Sequence, residues 1–220
     1  MSDRPKDPGD GVEPRSHSGR RVRADAQRNI DTLLQTAVVV FATSGADAPV
    51  REIAEKAGVG VGTIYRHFPQ RSHLIAAVFR REIDACAEAA PVLAAEHEPG
   101  EALARWMQRL VDFILAKRGL AKALHCEDPV FDTLPTYFEQ RLEPALQALL
   151  KSAVSAGQVR ADIGAGDLLG AVVSLCMQPY AQGPQHAQRM VSLLVDGLRC
   201  GASSHPKPRK KSNKPARRKT

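Results

Sequence analysis

Aromatic side chains are scarce in this chain, and their shortage limits the folds open to it. Only 5% of its 220 residues are Phe, Trp or Tyr, so a hydrophobic core must consist mainly of Leu, Ala and Val. Leu and Ala favour helices, whereas aromatic residues are enriched in strands. No segment alternates apolar and polar residues as a half-buried strand does. The sequence therefore predicts an all-α protein.

Cysteine is also rare, and its pattern indicates no special chemistry. The four residues show no CxxC spacing and lie in apolar or helical contexts: Cys86, Cys126, Cys176 and Cys200. This pattern argues against a disulfide framework. The run from His125 to Asp128 contains four possible metal ligands, but its spacing matches no metal-binding template. We therefore predict buried, reduced cysteines, no metal and no cofactor.

Long apolar runs and catalytic motifs are missing as well. No stretch reaches the roughly 18 to 20 apolar residues that span a bilayer. The polar first residues lack the apolar centre of a secretory signal. GxSxG, P-loop and HExxH motifs are absent, and the seven histidines are scattered. We therefore expect a cytoplasmic protein with no membrane partner and no enzymatic activity.

Positive charge is concentrated near the C-terminus. Residues 205–220 contain eight Lys and Arg residues and no acid, which exceeds the net charge of +7 for the whole chain. We predict that residues 203–220 form a disordered basic tail. It would either keep the protein soluble or, as we favour, add non-specific, salt-sensitive DNA affinity. Residues 1–23 are also predicted to be disordered, either as an arm that touches DNA or as a plain tail.

Helical periodicity covers the remaining chain. A first helix is predicted from near Asp25, a good N-cap, to about Ser44. A long helix should run from Gln70 to about Ala90, with Pro91 at its end. Further helices are predicted over 99–119, 120–125, 134–156, 168–180 and 185–199. Pro144 should kink one of these helices or mark its start. The predicted architecture has about nine helices: an N-terminal three-helix domain and a C-terminal bundle.

Residues 50–68, VREIAEKAGVGVGTIYRHF, predict two short helices joined by a tight turn. Ile53 faces inward from the first helix, and Gly58 stands where a left-handed residue ends it. Ile64 and Phe68, four residues apart, give the second helix an inward stripe. The outward face of that helix carries donors and small residues. Such a helix-turn-helix can lay its second helix in a DNA major groove.

The longer run REIAEKAGVGVGTIYRHFPQRSHLIAAVF resembles the DNA-binding segment of TetR-family transcriptional regulators, and the similarity covers about residues 24–80. The resemblance implies a DNA-binding domain over residues 24–70 and a ligand-binding and dimerisation domain over residues 71–202. In this chain Ala48, Pro49 and Val50 replace the Thr that often precedes Arg-Glu-Ile-Ala, so a capping hydroxyl is missing. The outward positions and the resemblance together predict these DNA-binding residues: Arg51, Gly60, Val61, Gly62, Thr63, Tyr65, Arg66, His67 and Arg71.

The C-terminal half is rich in aromatic and sulfur-containing side chains. Their clustering is explained either by core packing or by a ligand cavity between helices, and the resemblance favours the cavity. The predicted lining is Trp106, Met107, Leu110, Phe113, Leu124, His125, Phe131, Tyr137, Phe138, Cys176, Met177 and Tyr180.

The last two helices are more apolar than one face of a monomer requires. They therefore predict a four-helix interface between two copies. The predicted interface residues are Leu168, Leu169, Val172, Val173, Leu175, Met190, Leu193, Leu194, Val195 and Leu198.

These features predict a ligand-responsive transcriptional regulator that binds a palindromic DNA operator as a homodimer. A small, hydrophobic effector in the C-terminal bundle would release it. Repression rather than activation follows from the resemblance alone. The alternative is an all-helical small-molecule-binding protein or enzyme whose helix-turn-helix does not bind an operator. An electrophoretic shift of the DNA upstream of its own gene separates the two hypotheses.

Overall fold

The computed structural model of the protein describes residues 17–45, 47–117, 128–177 and 184–200. These segments form eight α-helices, one 3₁₀ helix and no strand, which confirms the predicted all-α class. The helices are α1 (His17–Ser44), α2 (Val50–Ala57), α3 (Val61–His67), α4 (Arg71–Glu96), α5 (Pro99–Lys117), the 3₁₀ helix η1 (Pro129–Phe131), α6 (Leu134–Ser155), α7 (Ala165–Met177) and α8 (Pro184–Cys200). The helix predicted at 120–125 and the predicted C-terminal tail lie outside these segments.

The first helix begins earlier than predicted. α1 starts at His17 rather than near Asp25, so residues 17–23, predicted to be disordered, are helical. The segment before Asp25 is rich in Arg, and Ala and Gln follow it; all three are good helix formers. Asp25 therefore lies inside the helix instead of capping it.

Two prolines interrupt their helices less than predicted. α4 passes Pro91 and ends at Glu96 rather than at Ala90, and α6 passes Pro144 without ending. Both prolines are exposed, so each loses a backbone hydrogen bond on the solvent side of its helix, where curvature is tolerated. The packed face of each helix outweighs that loss. α7 also begins before its predicted start, at Ala165.

Helix α4 crosses two hydrophobic cores. Its first half, from Leu74 to Phe79, belongs to an N-terminal core with α1, α2 and α3. Its second half contributes Ile83, Cys86 and Ala90 to a C-terminal core with α5, α6, α7 and α8. A single rigid helix of 26 residues therefore links the two halves of the molecule.

A later part of the chain returns to the N-terminal core. Phe131 of η1 and Leu134 at the start of α6, each 7% exposed, pack in that core and not in the C-terminal one. α4 begins at Arg71, where the domain boundary was predicted, yet the packing unit around α1 to α3 includes residues from both sides of that position.

The C-terminal core is fixed by one buried hydrogen bond as well as by apolar packing. Trp106 is fully buried, and its indole Nε1–H donates to the carbonyl oxygen of Cys86 at 2.9 Å. Burial raises the pKa of the Cys86 thiol to about 11. At neutral pH this cysteine is therefore a protonated core side chain. The prediction of burial agrees with Cys86 and Cys176, but it is wrong for Cys200, which is exposed.

Across the described segments, no helix combines the length and the apolar character needed to cross a membrane.

Candidate nucleic-acid interface

The turn between α2 and α3 has the geometry that its sequence predicts. Gly58 adopts a φ of 67°, in the left-handed region. The Gly58 N–H donates to the Glu55 carbonyl at 3.2 Å, and the Val59 N–H donates to the Ala54 carbonyl at 3.0 Å. These bonds satisfy the last carbonyls of α2, and only glycine reaches this conformation without steric cost. The turn therefore fixes the angle between the two helices.

The start of α2 lacks a side-chain cap, as predicted from its sequence. Pro49 occupies the N-cap position, and its side chain has no oxygen to accept a hydrogen bond from the first backbone N–H groups of α2. Glu52 makes a different connection: it accepts from the Ser44 hydroxyl at 3.2 Å and from Lys56 Nζ at 2.8 Å. The hydrogen bond from Lys56 holds the pKa of Glu52 below its usual value. The bond from Ser44 ties α2 to the end of α1.

Helix α3 has one buried residue and a polar outward stripe. Ile64 is 1% exposed and packs in the N-terminal core. Successive residues turn by about 100° in a helix, so Gly62 and Arg66 point away from Ile64. Thr63 and Tyr65 flank that direction. We call these four residues, Gly62, Thr63, Tyr65 and Arg66, the outward stripe.

The structure exposes most of the predicted DNA-binding residues. Tyr65 is 47% exposed, which is unusual for so large an aromatic side chain. Val61 is half-buried against the N-terminal core. The others that are exposed are Arg51, Gly60, Gly62, Thr63, Arg66 and His67. A Cβ at Gly62 would meet nothing within 4 Å, so the stripe has an open point where another molecule can come close to the backbone.

Arg71 differs from the other predicted residues because it is only half-exposed. Its guanidinium lies 5.8 Å from the centre of the Phe41 ring, in the arrangement of a cation–π contact. That contact joins the start of α4 to α1. Arg71 therefore has a packing role in addition to any role on the surface.

The chemistry of the outward stripe suits a polyanion. Thr63, Tyr65 and Arg66 all carry hydrogen-bond donors, and α3 contains no acidic residue. Hydroxyl and guanidinium donors are the groups that bind phosphate oxygens and base edges in protein–DNA complexes. The outward stripe therefore has the donors that a DNA contact requires and no carboxylate of its own helix to repel phosphate.

The twelve predicted pocket residues do not share one lining. Four are fully buried in the C-terminal core: Trp106, Met107, Leu110 and Cys176. Phe131 packs in the N-terminal core instead, and Met177 is 51% exposed. Leu124, His125 and Tyr180 lie outside the described residues. The prediction of a single lining is therefore wrong for these buried and exposed residues, because aromatic and sulfur-rich composition identifies dense packing as readily as a cavity.

The remaining three predicted pocket residues do lie together at the edge of the C-terminal core. Phe113, Tyr137 and Phe138 are partly buried against it. The rings of Phe113 and Phe138 stack with their centres 6.3 Å apart.

A hollow that the sequence did not predict lies between α5 and α8. Its volume is about 470 Å³, and none of the predicted pocket residues lines it. Its lining is mostly polar and charged, and includes Arg105, Arg109, Asp112, Ser192 and Asp196. The available signal was the polar face of α8, where Gln185, Arg189, Ser192 and Asp196 recur at intervals of three or four residues.

Half of the predicted dimer residues are core residues of a single chain. Five are at most 4% exposed and pack in the C-terminal core: Leu168, Leu169, Val172, Val195 and Leu198. The prediction that these five form an interface is wrong, because α7 and α8 must first cover α5 and α6 of their own chain. Val173, Leu175, Met190 and Leu194 are partly buried, and Leu193 is 64% exposed.

Known protein families match both halves of the chain. A model described as "Bacterial regulatory proteins, tetR family" matches residues 33–78. A second, described as "Transcriptional regulator SbtR-like, C-terminal domain", matches residues 98–200.

Solved structures resemble the chain over most of its length. A TetR transcriptional regulator from Streptomyces coelicolor is 36% identical, with 77% of this chain and 97% of that chain covered and a TM-score of 0.65. A TetR regulatory protein from Mycobacterium vanbaalenii is 35% identical, with 81% and 99% covered and a TM-score of 0.64.

Curated relatives match over a shorter region. The HTH-type transcriptional repressor KstR of Mycolicibacterium smegmatis is 36% identical over 63 residues, which is 28% of this chain and 31% of that protein. The chain thus spans about a third of the length of the curated relatives it matches.

Proposed function

The chain belongs to the TetR family of bacterial transcriptional regulators, and we propose that it binds a palindromic DNA operator as a homodimer, represses the adjacent genes, and is released by a small hydrophobic effector. Repression is the activity named for the KstR relative. The outward stripe of α3 carries the proposal, because it presents hydrogen-bond donors and an open backbone point on a helix that the N-terminal core holds rigidly.

Genome-wide mapping of bound DNA, followed by an electrophoretic shift with a duplex from each bound site, tests this proposal. We expect a small set of sites, each with a two-fold symmetric sequence. If the purified protein shifts no duplex at low salt, operator binding is excluded and the alternative of a helical binding protein or enzyme gains support.

Dimerisation is supported by an apolar side of α8 that the chain leaves open. Val191 and Val195 are buried and face the C-terminal core. At about 100° per residue, Leu193 points straight away from that core. Met190, Leu194 and Gly197 lie on one side of Leu193, whereas the polar residues that line the hollow lie on the other.

Helix α7 extends this apolar side. A Cβ at Gly170 or at Gly197 would meet nothing within 4 Å, and Met177 is 51% exposed. Small residues at such positions allow two helices to approach closely. We therefore assign the dimer interface to a surface that we call the dimer face. It is formed by Gly170, Val173 and Met177 of α7 with Met190, Leu193, Leu194 and Gly197 of α8.

Leu193→Glu is expected to convert the dimer into a monomer. The substitution places a charge at the centre of the dimer face, where burial without a partner is costly, yet the exposed position leaves the fold of one chain intact. Sedimentation velocity measures the change. Ser192→Glu is the matched control, because it adds the same charge one residue away on the polar side of α8. If both variants remain dimeric, the assigned face is wrong.

The effector signal has a physical route through α4, since that helix belongs to both cores. Asp84 of α4 accepts from the Tyr137 hydroxyl at 2.8 Å and from Arg141 Nε at 2.6 Å, both on α6. Arg80 of α4 donates to the Thr133 hydroxyl oxygen at 2.8 Å, just before α6. We call these contacts the α4–α6 seam.

A second connection joins η1 to the beginning of α4. The Asp128 carboxylate accepts from the Val130 backbone N–H at 3.0 Å and caps η1. A hydrogen bond from the Ser72 hydroxyl, reinforced by Val130, holds the pKa of Asp128 below its usual value. Ser72 lies in the first turn of α4, only five residues after α3 ends. Movement of η1 would therefore act close to α3, the recognition helix of the helix-turn-helix.

The effector site fits beside the aromatic pair Phe113 and Phe138. This pair is partly buried and apolar, as a hydrophobic molecule requires. Phe138 follows Tyr137 directly, so a ligand that displaces this part of α6 would strain the α4–α6 seam. The resulting tilt of α4 would respace the two recognition helices of the dimer.

Asp84→Asn combined with Tyr137→Phe is expected to lower operator affinity by about 3- to 10-fold, although neither residue is near α3, because residues that couple two sites typically act at this scale. Fluorescence anisotropy with the operator duplex measures the effect. Glu101→Gln is the control, since it removes the Glu101 pairs with Arg105 and Arg199, which are not part of the α4–α6 seam. Equal operator affinity for the seam variant and the unmodified protein would mean that the α4–α6 seam does not transmit the effector signal.

A further inference from the structure

We propose that the hollow between α5 and α8 binds a free α-amino acid, whose carboxylate pairs with Arg109 and whose ammonium group pairs with Asp112. This site is separate from the hydrophobic effector site beside Phe113 and Phe138, neither of which lines the hollow. Binding of an amino acid here does not depend on the operator binding proposed above.

The hollow is built by two helices that are held together at fixed points. Gln108 Nε2 of α5 donates to the Ser192 hydroxyl oxygen of α8 at 2.9 Å, and Gln188 Nε2 of α8 donates to the Asp112 carboxylate of α5 at 2.8 Å. Ala104 and Ser192 are small side chains in the lining, and they leave a space of about 470 Å³ between the helices. This volume is within the range of small-molecule sites.

Four of the six charged side chains in the lining pair with one another. Arg105 Nε donates to the Glu101 carboxylate at 2.8 Å. Arg199 lies 3.5 Å from the Glu101 carboxylate through Nη2 and 3.8 Å from the Asp196 carboxylate through Nη1. Two acids and two cations of the lining are therefore balanced within the protein.

The other two charged side chains of the lining are Arg109 and Asp112, and they have opposite signs. Among the residues that the structure describes, neither of them forms an ion pair. The hydrogen bond that Asp112 accepts comes from the neutral amide of Gln188, which does not balance its charge. Residues three apart on a helix have Cβ atoms about 5–6 Å from each other. The hollow therefore presents one unbalanced cation and one unbalanced anion side by side.

A ligand that matches this arrangement carries a carboxylate and a cationic group on a short frame. A guanidinium such as that of Arg109 can bind a carboxylate through two parallel hydrogen bonds, and an ammonium group has three donors for the Asp112 carboxylate. A simple anion would satisfy Arg109 but would be repelled by Asp112, and a simple cation would meet the reverse conflict.

The apolar part of the lining is small. Its only apolar residues are Ala104 and Val195, which can cover the short carbon frame of an amino acid but not a large hydrophobic molecule. The charges and the lining together therefore favour a zwitterionic amino acid over a hydrophobic effector.

Isothermal titration calorimetry of the full-length protein at low salt, with each standard amino acid in turn, tests the proposal. We expect at least one amino acid to bind once per chain. Its methyl ester and its N-acetyl derivative each lack one of the two charges, so each should bind at least about tenfold more weakly.

Two variants test the assigned contacts. Arg109→Gln and Asp112→Asn should each lower the affinity for that amino acid by at least about tenfold. Both residues are exposed, so the fold should be retained, and Asn keeps an oxygen that can accept from Gln188. Arg189→Gln is the matched control, because Arg189 is an exposed arginine of α8 that does not line the hollow. Its affinity should equal that of the unmodified protein.

Several results would overturn the proposal. One is the absence of binding by every standard amino acid, both in calorimetry and in equilibrium dialysis. Another is binding of the methyl ester, or of inorganic phosphate, as tightly as the amino acid, since that result means that a single charge is recognised. Unchanged affinity in Arg109→Gln and Asp112→Asn would place the amino acid outside the hollow. The two derivatives are tested on the unmodified protein, so their outcome does not depend on how well any variant folds.

Discussion

Replacing Thr63 and Tyr65 together with alanine is expected to lower operator affinity by about 100-fold or more while leaving the fold intact. A hydrogen bond to a charged group such as phosphate contributes about 1.5–3 kcal/mol, and 1.4 kcal/mol corresponds to a factor of ten. Two lost bonds therefore account for about 100-fold, and the dimer would present each side chain twice. Both side chains are exposed, so their removal should change the free energy of unfolding by less than about 0.5 kcal/mol.

Fluorescence anisotropy with the operator duplex measures the affinity, and thermal unfolding followed by circular dichroism verifies the fold. Thr136→Ala is the control, because Thr136 is an exposed threonine on α6 and is not part of the outward stripe. Wild-type affinity in the double variant would mean that the outward stripe does not face DNA. A comparable loss of both affinity and thermal stability would mean that the variant reports folding rather than recognition.

The helix-turn-helix could be predicted from the sequence because its signals are local. Gly58 ends α2 through its own backbone conformation, and Ile64 faces inward because of its spacing within α3. Neither signal depends on a distant part of the chain. The missing cap at Pro49 could be predicted for the same reason, since capping involves only the first residues of α2.

The dimer face could be predicted only in part. Periodicity identifies the apolar side of a helix, but it does not say whether that side packs against the same chain or against a second copy. Leu168 and Leu193 have equal apolar character, yet Leu168 is 1% exposed and Leu193 is 64% exposed. The difference depends on how α7 and α8 lie on α5 and α6, which is a long-range property. The same limit applies to Trp106, which fills the C-terminal core rather than lining a cavity.

The packing of Phe131 is a long-range contact that could not be predicted from the composition of the sequence. Its position in the chain suggests the C-terminal bundle, but η1 carries it into the N-terminal core. Helix α4 and η1 thus approach that core from two separate parts of the chain. The recognition helix therefore packs on a core that both α4 and η1 help to form, so a displacement of either α4 or η1 would move that helix.

Phe131→Ala is therefore expected to destabilise the N-terminal core by about 3–5 kcal/mol, the range for truncation of a buried phenylalanine. Phe131 is only 7% exposed, so nearly all of its side chain is buried in the native state and the substitution removes most of that buried surface. Hydrogen exchange measured by mass spectrometry should show faster exchange in α1, α2 and α3, with α5 and α8 less affected. Operator affinity should fall with it, because α3 no longer rests on a fixed core.

Two further variants separate this effect from general damage. Phe131→Leu keeps most of the apolar volume and should restore most of the protection. Phe138→Ala removes the same side chain at the edge of the C-terminal core and should leave exchange in α1, α2 and α3 unchanged. If Phe131→Ala leaves those helices as well protected as before, η1 is not a support of the recognition helix, and the effector signal must pass through the α4–α6 seam alone.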